Sequence, residues 1–119
     1  MEGFNMNTVT LGVAGRDAFS KRFAAAMRGQ AQGQFISFET PELLFQTLTQ
    51  LRWNILKAMT GAGVLSIREV ARRVERDVKR VHEDVGALLA VGVLERTEEG
   101  VVFPYDAIHV DFTLQAQAA

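Results

Sequence analysis

Six basic side chains crowd the segment between Ser66 and Val81: Arg68, Arg72, Arg73, Arg76, Lys79 and Arg80. The acids Glu69, Glu75 and Asp77 leave a local balance of +3, in a chain whose net charge is −1. Arginine and lysine can bond the acceptor edge of guanine or a phosphate oxygen, and a carboxylate such as Glu83 can accept from cytosine. Ser66, at a helix start, would offer backbone N–H groups to a phosphate. The same residue types also make a solvated face with local ion pairs, Arg72 with Glu69 and Arg80 with Asp84.

Other chemistry has little to build on. The chain holds no cysteine, which excludes disulfides, thiolate metal sites and cysteine nucleophiles. His82 stands roughly 70° from the centre of its helix's apolar stripe, a flank position. His109 and Asp111 share the polar face of a strand without a third or fourth metal ligand. Gly12-Val13-Ala14-Gly15 lies between a strand and a helix, where a phosphate loop would stand. It lacks both the Gly-Lys-Ser/Thr ending and the third glycine of a dinucleotide fingerprint. No catalytic residue, metal site or cofactor is expected, and the chain does not read as an enzyme.

The elements that position these residues can be read in order. Thr8 to Val13 alternates, placing Val9, Leu11 and Val13 on one face of a strand. A helix is expected over 18–28 with the stripe Phe19, Phe23 and Met27, then a polar loop and a second strand from Gln34 to Glu39. Thr40-Pro41 opens a short helix to Thr47. Thr49 caps another to Met59, buried through Leu51, Ile55, Leu56 and Met59, with Trp53 in the core. Ser66-Ile67-Arg68-Glu69 is a capping box for a helix ending near Val74. After the turn Glu75-Arg76-Asp77, a longer helix runs to Val91 with Val78, Val81, Val85, Leu88 and Leu89 inward. On its wheel Arg76, Lys79, Arg80 and Glu83 point away from the core. A hairpin follows, Val93 to Arg96 and Val101 to Phe103. A last strand alternates from Ile108 to Leu114.

A short helix, a three-residue turn, a longer helix and a hairpin are the parts of a winged helix-turn-helix. The strings Leu65 to Val74, Asp77 to Val85 and Gly92 to Arg96 resemble the winged helix-turn-helix of MarR-like regulators. With the ending Phe103 to Phe112, the stretch from Thr49 to Leu114 is similar to a group of small bacterial and archaeal regulators. The resemblance implies a dimeric transcriptional repressor and, because some such proteins sit beside toxin genes, an antitoxin role as an alternative. The wing tip Thr97-Glu98-Glu99-Gly100 departs from the pattern in being acidic, which leaves Arg96 as the wing's base.

The fold expected is α+β: a winged helix-turn-helix over 41–114, a strand-helix-strand arm over 1–40 and a frayed tail over 115–119. At 48% hydrophobic and 23% charged, disorder and collagen-like structure are excluded. The arm is too small to stand alone and should pack on the winged helix or on a second subunit. The function expected is sequence-specific binding of double-stranded DNA by a homodimer, with helix 77–91 in the major groove. Arg76, Lys79, Arg80 and Glu83 would read bases. Ser66, Arg68, Arg72 and Arg73 would hold phosphates, and Arg96 would act from the wing. The alternative is a protein-interaction module or antitoxin that grips a partner through the arm or the last strand. Met1 to Thr10 shows no leader, and no apolar run approaches the ~20 residues of a membrane span, so a cytoplasmic site is expected.

Overall fold

Alternation over Thr8–Val13 gives strand β1, whose Val9 and Leu11 are fully buried. A computed structural model supplies the structure and describes residues 7–13 and 34–113. The helix expected over 18–28 with its Phe19/Phe23/Met27 stripe, the loop behind it and the tail 115–119 lie outside the described residues.

β1 is the middle strand of a wholly parallel three-stranded sheet. It is flanked by β2 (Gln34–Phe38) and β5 (Ala107–Asp111). The register sets Leu11 beside Ile36 on one side and Val110 on the other. Asn7 anchors the start of β1: its N–H donates to Asp106 Oδ2 at 2.9 Å, and its side-chain amide donates to the Pro104 carbonyl at 3.1 Å.

Caps define the helices. The Thr40 hydroxyl accepts the Leu43 N–H at the start of α1 (Pro41–Thr47), where Pro41 sits in the first turn, the place in a helix that needs no proline N–H. Thr49 does the same for α2 (Gln50–Met59), Ser66 for α3 (Ile67–Val74) and Asp77 for α4 (Val78–Ala90). Glu75 ends α3 at φ 58°, a left-handed conformation uncommon for a residue with a Cβ. Gly92, at φ 87°, follows α4. The antiparallel pair β3 (Glu95–Thr97) and β4 (Gly100–Val102) comes next. Leu65 and Val101 exchange two backbone hydrogen bonds of 2.8 Å, tying this hairpin to the chain just ahead of α3.

The fold is therefore α+β, and one buried cluster joins its parts. Val9 and Leu11 from the sheet share it with Leu44, Ile55, Leu56, Met59, Val81, Val85, Leu88 and Val101. No helix among the described residues is long and apolar enough to cross a membrane.

Several expectations need correction. Leu51 is 47% exposed. At 100° per residue, Ile55, Leu56 and Met59 centre on an arc that holds Arg52 in the first turn, and Leu51 lies roughly 90° off it. Val78 is 42% exposed because it begins α4, about 50° from the line through Val81, Val85 and Leu88. The wing strands each differ by a residue or two, since Val93 and Leu94 are buried and pairing begins at Glu95. β5 stops at Asp111, and Val110, expected inward, is 39% exposed at the sheet's edge. Trp53 packs on the core while keeping part of its surface in solvent.

Candidate nucleic-acid interface

The exposed face of α4 begins with Lys79, Arg80 and Glu83, which with Asp77 line an open hollow of about 290 Å³. All four are exposed. Asp77 is held to the helix, because its carboxylate accepts the Arg80 N–H at 3.2 Å. Lys79 and Arg80 make no ion pair among the described residues, so their charges face solvent. The Arg80–Asp84 pair of the solvated-face alternative does not form, because Asp84 is taken by Arg52 and Arg76.

Ser66 sits exposed at the head of α3, its hydroxyl accepting the Glu69 N–H at 3.1 Å. Only this half of the capping box forms. The Glu69 carboxylate turns outward and accepts from Arg72 Nε at 2.9 Å and from Arg73 Nε at 2.8 Å. The hydrogen bonds from Arg72, and then from Arg73, hold the Glu69 carboxyl down to about 2. The same carboxylate raises the pKa of Arg72. Arg72 and Arg73 thus reach solvent already paired, whereas Arg68 on the same helix is exposed without an ion pair among the described residues. Arg96 is exposed on β3, beside the acidic turn Glu98-Glu99.

Arg76 departs from its expected role as an outward base reader. Its side chain is only 17% exposed, and Nη1 lies 2.9 Å from Asp84 Oδ2. That contact falls outside hydrogen-bond angles, so the buried Nη1 has ion pairing alone. The reason is local. Arg76 lies between the left-handed Glu75 and the extended cap Asp77, so the wheel of α4 does not reach back to it. Asp84 also accepts from Arg52 Nε at 2.9 Å, while Arg52 Nη1 donates to the Thr47 carbonyl at 3.0 Å. Burial alone would raise the Asp84 carboxyl; the hydrogen bond from Arg52 and the adjacent Arg76 charge outweigh it and hold the group below its ordinary value. This clamp joins the α1–α2 junction, the α3–α4 turn and α4.

Residue-by-residue reading missed the clamp. Its signal was available in Arg52, a charged residue at the centre of an apolar arc. Such a position calls for a buried counter-charge. Among the described residues no group of three or more His, Asp or Glu side chains could hold a metal ion.

Comparison with known proteins gives one family. No curated protein and no solved structure matches the chain significantly. A family model described as HVO_A0114 matches residues 47–110. The match runs from the end of α1 through α2, α3, α4 and the hairpin and into β5, which is more than half of the sequence. The chain belongs to the HVO_A0114 family.

Proposed function

We propose that the chain is a sequence-specific, double-stranded-DNA-binding transcriptional regulator. In this reading residues 41–114 are a MarR-like winged helix-turn-helix, residues 1–40 are its arm, and a cytoplasmic homodimer represses by occluding a promoter, its own included. One observation carries it. The N-terminal turns of α4 present Lys79 and Arg80, without an ion pair among the described residues, beside Glu83 on an open face behind a three-residue turn. In helix-turn-helix proteins that end of the second helix enters the major groove.

Lys79, Arg80 and Glu83 would read bases. Arg68 and the head of α3 at Ser66 would meet phosphates, with Arg72 and Arg73 joining by exchanging Glu69 for phosphate oxygen. Arg96 would supply the wing contact. Arg76 would hold the turn instead of reading a base.

The test is binding to a duplex from the protein's own upstream region against a scrambled duplex of equal length, at two salt concentrations. A preference that persists at the higher salt is expected, with a footprint whose half-sites lie about one helical turn apart. Binding lost equally for both duplexes overturns the reading.

A second reading, a protein-interaction module or antitoxin, draws on two observations. The hairpin turn carries Glu98 and Glu99 at its tip, and Phe45, 55% exposed, meets Phe112 edge to face at 5.5 Å on the surface. Co-purification of a neighbouring gene's product, with no preference for DNA, would favour it.

A further inference from the structure

β5 is an edge strand, and its sequence is complementary to itself. No described strand pairs with its outer edge. The Asp111 carbonyl oxygen lies 2.8 Å from where a Cβ on Gly12 would stand, so it is turned inward against β1. Backbone groups alternate in direction along a strand, so the N–H and C=O of Val110 and of Ile108 point outward.

We propose that this edge pairs with the same edge of a second copy, antiparallel and centred on Val110. In that register Val110 faces its own counterpart and exchanges two hydrogen bonds with it. Ile108 falls opposite Phe112, a β-branched residue against an aromatic one. His109 falls opposite Asp111, an imidazole N–H against a carboxylate, at the sites where facing Cα atoms are closest, about 4.5 Å. A carboxylate offers about four lone-pair sites, so Asp111 can take the imidazole in addition to its contact within its own chain. Val110, 39% exposed, becomes covered, and the two sheets run on as one of six strands.

The opposite edge does not fit. Pairing β2 with itself about Ile36 would set Gln34 against Phe38 and Phe35 against Ser37, polar against apolar at each step. A strand edge left open is also a template for pairing with other chains, and a closed two-fold pair removes it. The proposal supplies the surface for the dimer of the DNA-binding reading and rests on that reading for its biological use.

Mass measurement by light scattering on the full chain, at tens of micromolar, tests it. Wild type should run near twice 13.2 kDa. Val110→Pro removes only an outward N–H, which an edge strand tolerates, so it should leave the β1–β5 ladder intact and give a monomer. His109→Asp alone sets carboxylate against carboxylate and should also give a monomer. The exchange His109→Asp with Asp111→His restores the pairing and should restore the dimer. A monomeric wild type overturns the proposal, as does a dimer that survives both Val110→Pro and His109→Asp. DNA preference is scored separately. A dimer broken by these changes but indifferent to sequence keeps the surface and removes the regulator reading. Preference for DNA with a dimer joined elsewhere does the reverse.

Discussion

Replacing Asp84 by alanine takes one carboxylate from between two guanidinium groups. Asp84 is 15% exposed, Arg52 22% and Arg76 17%, so both cations would be left largely desolvated. Removing one partner of a fully buried pair typically destabilises by about 3–5 kcal/mol. The residual exposure here lets water and side-chain adjustment recover part of that, and about 2–3 kcal/mol is the expected loss. For a chain of this size that is about 8–12 °C in Tm. Urea unfolding of wild type, Asp84→Ala and Asp84→Asn would read it, with an unchanged m-value confirming that only stability moved. The pH dependence gives an independent check. The Asp84 carboxyl is lowered in the folded state, so its contribution is present above the unfolded value near 3.9 and is lost as pH falls below it. The gap between wild type and Asp84→Asn should therefore begin to narrow as pH falls towards the unfolded value near 3.9 and go on narrowing below it, through the lower folded value. A loss under about 1 kcal/mol for Asp84→Ala, or a gap that stays constant with pH, refutes the clamp as a stabilising element.

Four further outcomes follow from particular residues. Gly100→Ala would place a Cβ 2.2 Å from the Leu65 carbonyl oxygen, so it should break the bridge to Val101 and lower stability by about 2 kcal/mol or more, read by thermal melting. Glu75→Gly should raise stability by a few tenths of a kcal/mol to about 1 kcal/mol in the same assay. It relieves the left-handed strain, less the backbone entropy glycine adds to the unfolded chain. In the DNA-binding reading, Arg80→Ala should cost about 1–3 kcal/mol and relax preference at one base pair. Arg68→Ala should weaken all duplexes alike and lower the salt slope by about one.

What the sequence exposed and what it concealed divide along a physical line. Caps act within three residues, so Thr40, Thr49 and Ser66 could be read directly, and each accepts an N–H of its helix's first turn; Asp77, read only as the end of a turn, caps α4 in the same way. Apolar periodicity placed the helices for the same reason. Charge partners were less legible, because Asp84 lies eight positions beyond Arg76 and thirty-two beyond Arg52. A helical wheel for α4 carries no information about a residue outside the helix, so Arg76 was sent outward when its backbone turns it in. The strands were legible from apolar residues such as Val9, Leu11, Ile36 and Ile108, but exposure at the sheet's edge was not. Alternation alone does not say whether a neighbour covers Val110.

The pairing of charges also bears on how DNA could be held. Glu69 engages Arg72 and Arg73, while Asp84 engages Arg52 and Arg76. Within the segment from Ser66 to Val81, that leaves Arg68, Lys79 and Arg80 without an ion pair among the described residues. If each displaces about one counterion on meeting DNA, the salt slope is only about −2.7 for a single copy. That much electrostatic attraction, on a chain of net charge −1, makes weak general binding. Two copies joined through β5 would double the slope and let two weak half-site contacts act together. On this reasoning Val110→Pro should reduce affinity for a palindromic duplex far more than for a single half-site. Equal affinity of the variant and wild type for the palindrome would show that one copy suffices, and the link between the β5 edge and DNA binding would then fail.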